Sequence, residues 1–197
     1  MKGIKVFVLY KEKGFQTEND KSIPGRKQEL VEAAGKKFRS LISTILSITE
    51  EDVKIQKDEK GAPYLCGYPD IYINRSYAAG YAVCVMASHP VGVDIETLRQ
   101  PNPPLARQFY CPKELEQIFK GRTCEDKALR WTRLWTLKEA YGKYLGTGLE
   151  GLRYCTCPTE ELVKKQKLKI TDIPLESKVV CTLVSLEEDV EISLIKL

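Results

Sequence analysis

The residues that could do chemistry in this 197-residue chain begin with two carboxylates in the segment 90–96. Alternation along a strand places Asp94 and Glu96 on one face, about 7 Å apart, with the apolar residues of the segment on the other face. Gly92 shares the acidic face, and we expect it to leave room for a ligand. Mg²⁺ is usually bound by one or two carboxylates with water and substrate phosphates, so the strand predicts half of a cation site. Taken alone, this spacing is also typical of a solvated strand end.

A second group of candidate residues lies on a long helix predicted at 125–145. Trp135, Glu139 and Lys143 are spaced by four residues and therefore share one face. A different face carries an apolar stripe, formed by Trp131, Leu134, Leu137, Tyr141 and Leu145. We expect such a helix at the junction of two halves, where Glu139 would reach the acidic strand. The simpler alternative is a Glu–Lys pair on a wet helix face.

The rest of the pattern predicts the elements that position these groups. The apolar periodicities predict strands at 3–10 and 52–57, a helix at 26–47, hairpins around 78–80 and 187–189, and a helix starting at 111–112. A long helix followed by a hairpin thus occurs twice, at 26–86 and at 125–197. The repeat predicts an α+β fold of two similar halves, residues 1–98 and 99–197, with the active site in the cleft between them. Three prolines predict a linker at 99–108.

The composition narrows the function classes. The net charge of +4 is weaker than expected of a dedicated nucleic-acid binder, so we expect no nucleic-acid partner, but it suits a phosphorylated cofactor or an acidic protein. The apolar run at 3–10 lacks a cleavage site and is too short to span a bilayer, which predicts a soluble cytoplasmic protein without a membrane partner. Zinc is disfavoured, because Cys155 and Cys157 would need a second Cys/His pair and the only histidine is His89.

Taken together, the two candidate segments resemble the Sfp-type 4′-phosphopantetheinyl transferases. The shared pattern is (V/I)-G-(V/I)-D-x-E, then F-x-x-x-x-E, then W-x-x-K-E-(A/S)-(Y/F). In this chain the three parts are residues 91–96, 109–114 and 135–141. The resemblance is strongest over residues 60–150. It implies a pseudo-twofold pair of α+β halves, each with a long helix packed on a small, mostly antiparallel sheet, which agrees with the predicted repeat.

The resemblance also implies a role for each matching residue. The residues that would hold Mg²⁺ with the pyrophosphate of coenzyme A are Asp94, Glu96 and Glu139. Lys138 and Lys143 would lie near the phosphates, with Lys143 placed to stabilise the departing phosphate. Glu114 matches a glutamate implicated as the base that activates the carrier serine, although a glutamate near a helix start is also favoured by the helix dipole. Glu139 is the alternative base.

The cofactor-binding residues of the first half are matched more loosely. Ser76 matches a serine that contacts the cofactor, and Lys60 precedes a G-x-P segment whose basic residue touches the nucleotide. Arg26 and Lys27 begin the first long helix, where family members place basic residues near the cofactor. Together with Tyr77, these four residues are the predicted contacts of coenzyme A in the first half.

Tyr77 departs from the family pattern. Members commonly have a histidine at this position, thought to contact the 3′-phosphate of the nucleotide. Tyrosine can donate one hydrogen bond but carries no positive charge, so the affinity for coenzyme A and the tolerance of dephospho-coenzyme A become open questions. Arg75 could substitute for the charge, but we expect alternation along the strand to point it the other way.

The implied reaction is the Mg²⁺-dependent transfer of 4′-phosphopantetheine from coenzyme A to a serine of an apo acyl or peptidyl carrier protein, which releases adenosine 3′,5′-bisphosphate. We expect a monomer, and we expect the apolar patch at 109–110 with the proline-rich segment to dock an acidic carrier helix. Two other interpretations stay open. One is a Mg²⁺-dependent nuclease, although these often carry E-x-K on a strand whereas Lys138 and Glu139 lie on a predicted helix. The other is a non-catalytic carrier-binding relative.

Overall fold

The structure, a computed structural model, describes residues 3–10, 24–151, 157–175, 178–186 and 189–197. The chain divides into two compact units, Met1–His89 with Glu188–Leu197, and Pro90–Glu187. In the described part of the chain, no helix is long and apolar enough to cross a membrane. The architecture is α+β, as predicted from the sequence.

The helices and strands follow one another in an irregular order along the chain. They are β1 (Ile4–Tyr10), α1 (Pro24–Leu46), β2 (Ile55–Lys57), β3 (Pro63–Leu65), β4 (Tyr72–Ala78), β5 (Tyr81–Ala87), β6 (Gly92–Thr97), α2 (Pro103–Phe109), α3 (Pro112–Phe119), α4 (Cys124–Leu145), α5 (Gly148–Gly151), α6 (Glu160–Gln166), β7 (Leu168–Asp172), β8 (Val179–Leu186) and β9 (Val190–Lys196). Both predicted long helices are present, as α1 and α4.

The first unit is built on a six-stranded sheet with the order β2-β3-β4-β5-β1-β9. Neighbouring strands are antiparallel, except that β9 runs parallel to β1. The predicted hairpin of β4 and β5 is confirmed, and its two turn residues, Ala79 and Gly80, have φ angles of 50° and 76°. Positive φ at both positions is the geometry of a tight hairpin turn, which matches the twist of the strands.

The core of the first unit lies between this sheet and α1. Residues at four-residue steps along α1 are buried, which is the apolar stripe expected of a helix that covers a sheet. The buried cluster includes Phe7, Leu9, Ala34, Phe38, Ile42 and Met86. Burial of each of the larger side chains in this cluster contributes about 1.5–3 kcal/mol to the free energy of unfolding.

The second unit is built on a three-stranded antiparallel sheet with the order β6-β8-β7, and α4 packs against β6 and β8. The hydroxyl oxygen of Thr123 accepts a hydrogen bond from the amide of Asp126 and caps the start of α4. The helix ends at Gly146, whose φ of 64° terminates the helix in the left-handed region. The two local signals therefore set both ends of the helix that carries half of the candidate site.

The predicted C-terminal hairpin is wrong. The two strands are present, but β8 pairs with β6 and β7, whereas β9 pairs with β1 in the other sheet. The same pairings make the units differ from the predicted halves, 1–98 and 99–197. β6 lies before the predicted boundary but belongs to the second unit, and β9 belongs to the first. Ladder hydrogen bonds to strands distant in sequence decide both assignments.

The proline-rich segment is not an extended linker throughout, as the sequence predicted. Residues 103–109 form α2, whose first two positions are prolines. The side chain of Asn102 accepts a hydrogen bond from the amide of Leu105 and caps this helix. Prolines are tolerated at a helix start because amides there have no partner within the helix. The cluster of prolines therefore marks a helix start in this chain.

Candidate active site

The face of β6 that carries Asp94 is covered by α4. The alternating apolar residues of the segment, Val91, Val93 and Ile95, are buried, as predicted. A Cβ atom added at Gly92 would lie 1.9 Å from the carbonyl oxygen of Ala140 and 2.5 Å from the amide nitrogen of Tyr144. The expectation that Gly92 leaves room for a ligand is therefore wrong. Its missing side chain lets the backbone of α4 approach the strand.

Asp94 and Lys143 form the ionic centre of this arrangement. Asp94 is only 4% exposed, and its Oδ1 accepts a hydrogen bond of 2.8 Å from Nζ of Lys143. The same ammonium group donates to the carbonyl oxygen of Val93 at 2.9 Å. Because Gly92 permits close packing, the side chain of Lys143 crosses from α4 to the strand. Two of the residues predicted from the sequence are thus in direct contact.

Glu139 lies one helical turn before Lys143 and is electrostatically coupled to the same pair. Burial raises the pKa of Glu139 from 4.5 to about 7, the carboxylate of Asp94 adds to the rise, and Lys143 opposes it. Repulsion between two carboxylates requires that they lie near each other in a poorly solvated environment. Asp94, Glu139 and Lys143 therefore form one ionic cluster, whereas the sequence predicted that Asp94, Glu96 and Glu139 would come together. Within this cluster Lys143 supplies the positive charge that offsets the two carboxylates.

Glu96 forms an ion pair that was not predicted from the sequence. Its carboxylate binds the guanidinium of Arg99, three residues later. The backbone amide of Arg99 donates to the hydroxyl of the buried Thr132 on α4, at 3.0 Å. The sequence signal for this ion pair was the three-residue spacing of Glu96 and Arg99 at the end of a strand. The path of the chain after a strand cannot be predicted from that spacing, so the contact was not predicted.

The donor set was predicted to hold Mg²⁺ through three carboxylates, and it fits that ion through two of them. In the described ranges of the chain, no three His, Cys, Asp or Glu side chains are grouped closely enough to hold a metal by themselves. Asp94 and Glu139 repel each other, and a divalent cation would relieve that repulsion. One or two carboxylates completed by water and phosphate oxygens is the usual environment of Mg²⁺. The pair therefore fits a magnesium ion that arrives with a phosphorylated substrate.

Glu114 is held by three donors from separate parts of the second unit. One oxygen accepts from the amide of Cys111 at 2.8 Å and from Nζ of Lys138 at 3.0 Å, and the other accepts from the amide of Cys157 at 2.9 Å. Burial by itself raises its pKa, but these hydrogen bonds outweigh burial and lower the pKa below its ordinary value. A carboxylate stabilised in this way is a weak base. The predicted role of Glu114 as catalytic base stays a prediction, and its contacts favour a structural role.

Lys138 lies on a different face of α4 from Glu139 and Lys143. It is 2% exposed, and its ammonium group binds Glu114 and the carbonyl oxygen of Phe109. The ammonium also lies 5.1 Å from the centre of the Tyr110 ring. A buried ammonium with these partners is not presented to a phosphate, so the expected contact of Lys138 with the cofactor does not fit the position that the structure gives it.

The aromatic residues around α4 form a packed cluster. Tyr110 is buried, with its ring centre 4.6 Å from that of Trp131, and Phe109 packs edge-on against Trp135 at 5.5 Å. The expectation that residues 109–110 offer an exposed docking patch is therefore wrong for Tyr110. Trp135 is partly buried in this cluster, which explains the mixed aromatic and ionic face of the helix.

The predicted cofactor residues of the first half lie in the first unit. Ser76 is nearly buried on β4, and Lys60 is exposed in the turn before β3, where its amide binds Asp58. Arg26 and Lys27 lie within α1, but their side chains are outside the described part of the chain. Whether any of these residues contacts a cofactor stays a prediction.

Tyr77 and Arg75 are on the same face of β4, two residues apart. Burial raises the pKa of Tyr77, Cys84 adds to the rise, and the Arg75 guanidinium opposes it. The expectation that Arg75 points away from Tyr77 is therefore wrong, because residues i and i+2 of a strand share a face. The structure places a positive charge beside the tyrosine that replaces the histidine of the family pattern.

Comparison with a family model gives a match that coincides with the second unit. Residues 90–185 match the model of the 4′-phosphopantetheinyl transferase superfamily. This range begins at the first residue of the second unit and contains Asp94, Glu96, Glu114, Glu139 and Lys143. The region that the family model recognises is therefore the region that carries the ionic cluster.

Curated relatives agree with the family model. The chain is 32% identical over 113 residues to the 4′-phosphopantetheinyl transferase gsp of Aneurinibacillus migulanus, covering 57% of this chain and 46% of that protein. It is 27% identical over 111 residues to the transferase Sfp of Bacillus subtilis, covering 56% and 49%. It is 31% identical over 132 residues to the transferase HetI of a Nostoc species, covering 62% and 55%.

The chain spans about half the length of the curated relatives that it matches. Residues 90–185 are similar to the 4′-phosphopantetheinyl transferase superfamily, and the resemblance to its Sfp-type members that the sequence predicted is confirmed.

Proposed function

We propose that the protein transfers 4′-phosphopantetheine from coenzyme A to a serine of an apo carrier protein. The observation that carries this proposal is the cluster of Asp94, Glu139 and Lys143 inside the region that matches the transferase superfamily. With a divalent cation bound, two carboxylates and an ammonium group in a poorly solvated environment would suit a substrate that contains a pyrophosphate and develops negative charge on its leaving group.

The cation of this reaction would be Mg²⁺, held by Asp94 and Glu139 together with phosphate oxygens of coenzyme A. Glu96 would join them once its carboxylate leaves Arg99. When bound, Mg²⁺ supplies electrophilic polarisation of the phosphoryl group and neutralises charge on the pyrophosphate. Lys143, which already reaches across to the acidic strand, stabilises the negative charge that builds up on the departing phosphate.

In the chemical step, the serine oxygen of the carrier attacks the β-phosphorus of coenzyme A. A new bond forms between that oxygen and phosphorus, and the bond from phosphorus to the bridging oxygen breaks. The electron pair of the broken bond leaves with adenosine 3′,5′-bisphosphate. The 4′-phosphopantetheine group is thus transferred directly to the carrier, without a covalent enzyme intermediate.

The serine proton needs an acceptor, and the two candidates are Glu114 and Glu139. Glu114 accepts three hydrogen bonds and has a lowered pKa, so it takes up a proton less readily than an ordinary glutamate. The pKa of Glu139 is about 7, which matches a proton acceptor that works near neutral pH. This pKa applies to the site without a cation, and a cation bound by Asp94 and Glu139 would lower it, so both glutamates stay candidates for the proton acceptor.

A nuclease is the weaker alternative, because nucleases of this kind often carry a glutamate and a lysine on a strand, and Lys138 and Glu139 lie on α4. A non-catalytic carrier-binding relative would retain the fold and the carrier contact but would not modify the carrier. A transferase and a non-catalytic relative therefore differ in one measurable product, the modified carrier.

The direct test incubates the protein with coenzyme A, Mg²⁺ and an apo carrier and measures the mass of the carrier. The expected result is a gain equal to one 4′-phosphopantetheine group, located on a serine. The gain should be absent for a carrier in which this serine is replaced by alanine, and for the Asp94→Asn enzyme. If several acyl and peptidyl carriers all show no mass gain with the unmodified protein, the proposed function is wrong.

A further inference from the structure

Arg99 is the charged residue of the candidate site to which the sequence pattern assigns no role. It follows β6 directly, and its side chain is 54% exposed, whereas the side chain of Glu96 is 19% exposed. The contact between them is therefore formed by a mostly buried carboxylate and a guanidinium that extends from solvent. Glu96 lies within β6, so Arg99 is the more exposed partner of this pair.

The backbone of Arg99 is held on the α4 side of the site. Its amide donates to the buried hydroxyl of Thr132, which keeps the start of the side chain within reach of Glu96. Arg99 is therefore anchored beside Glu96, one of the three carboxylates predicted to bind the cation.

The charges of the site are already partly balanced by the chain itself. Lys143 binds Asp94, and Arg99 binds Glu96, so two internal cations face three carboxylates. A divalent cation that takes up these carboxylates must compete with both positive charges. Lys143 is mostly buried and has a second partner in the carbonyl of Val93, so Arg99 is the counter-ion that can leave with less structural change.

We propose that Arg99 is an internal counter-ion that competes with a divalent cation for Glu96 and thereby weakens cation binding by the substrate-free protein. This inference rests on the proposed function, because it concerns the cation site of that reaction. Arg99 is a positioning residue in this scheme, since it acts through Glu96. Once displaced, its planar guanidinium is suited to bind a phosphate group through two hydrogen bonds.

The test measures binding of Mn²⁺ to the substrate-free protein by electron paramagnetic resonance of the unbound ion. Arg99→Gln keeps the backbone amide that binds Thr132 but removes the positive charge. We expect it to bind Mn²⁺ about two- to fivefold more tightly than the unmodified protein, the range that corresponds to one partly exposed ion pair. The matched control is Arg133→Gln, which breaks an exposed pair with Asp172 in the same unit and should leave the affinity unchanged.

The same substitution in a second variant shows whether the gain in Mn²⁺ affinity depends on Glu96. In a Glu96→Gln background, Arg99→Gln should have no further effect, because the carboxylate for which the two cations compete is absent. The proposal is wrong if Arg99→Gln leaves Mn²⁺ affinity unchanged or lowers it, or if neither protein binds Mn²⁺ at millimolar concentration. It is also wrong if the gain persists in the Glu96→Gln background, which would indicate a general effect of net charge.

The carrier-mass assay separates failure of this inference from failure of the proposed function. If the unmodified protein modifies the carrier but Arg99→Gln binds Mn²⁺ no more tightly than the unmodified protein, only the role of Arg99 is refuted. Tighter Mn²⁺ binding by Arg99→Gln without transfer to any carrier would support the counter-ion and refute the transferase activity.

Discussion

Replacement of Glu139 by glutamine should make the second unit more stable at neutral pH, although it removes a residue proposed to be catalytic. Glu139 has a pKa of about 7 in the folded protein, against an ordinary value of 4.5. Its ionised form is disfavoured first by burial and then by the neighbouring carboxylate of Asp94. Glutamine has a similar shape but cannot ionise, so it avoids this cost.

The size of the effect follows from the difference between the two pKa values. A pKa raised from 4.5 to about 7 corresponds to about 3 kcal/mol of differential stability between the two protonation states. Because folding raises this pKa, the contribution of Glu139 to the free energy of unfolding is fully present below pH 4.5, where Glu139 is protonated in the folded and the unfolded state. The contribution is lost as the pH rises to about 7. The advantage of Glu139→Gln should therefore grow from pH 5 to pH 7 and level off above it.

Urea denaturation between pH 5 and pH 8, in the presence of a chelator, measures this dependence. Both tryptophans of the chain, Trp131 and Trp135, are on α4, so their fluorescence reports on the second unit. The control is Glu116→Gln, which changes an exposed glutamate paired with Lys120 and should shift stability by less than about 1 kcal/mol at every pH. A constant difference between Glu139→Gln and the unmodified protein over this pH range would refute the reasoning.

Three further predictions concern other substitutions in the two units. Gly92→Ala should destabilise the second unit by about 3 kcal/mol or more in urea, because its Cβ would collide with the α4 backbone; Gly35→Ala, with nothing within 4 Å, should stabilise the first unit by about 0.5–1 kcal/mol. Glu114→Gln should cost about 3 kcal/mol, because it leaves buried Lys138 without its carboxylate, and the lowered pKa of Glu114 means that its contribution is lost as the pH falls below about 4.5. Asp94→Asn should abolish carrier modification and lower the pKa of Glu139, which carboxyl-selective NMR can follow; a pKa that stays at about 7 would contradict the coupling.

Local periodicity was sufficient to predict the elements that carry the site. The alternation of 90–96 and the four-residue spacing on 125–145 both survive in the structure, as β6 and α4. The spacing of Glu139 and Lys143 also placed them correctly on one helix face, because such neighbours are set by the helix itself. The joint pattern of three short motifs also predicted the resemblance to the transferase family, and the comparisons confirm that resemblance.

Partners distant in sequence were not predictable from the same patterns. Glu114 reads as an ordinary acid near a helix start, but the fold brings Cys157 and Lys138 to it from 43 and 24 residues away. From the sequence, Gly92 on the acidic strand was expected to leave space for a ligand, but the backbone of α4 fills that space. In each case the outcome depends on which element packs against the residue.

The sequence by itself determined which residues are close along one strand or one helix, and therefore that Asp94, Glu139 and Lys143 are candidates for one ionic cluster. Only the tertiary structure decided that Lys143 reaches Asp94, that Arg99 holds Glu96, and that β8 and β9 belong to different sheets. The physical reason is that side-chain periodicity is a local property of the backbone. Strand pairing and ion pairing depend instead on hydrogen bonds and charges brought together from distant segments, which the short-range pattern does not encode.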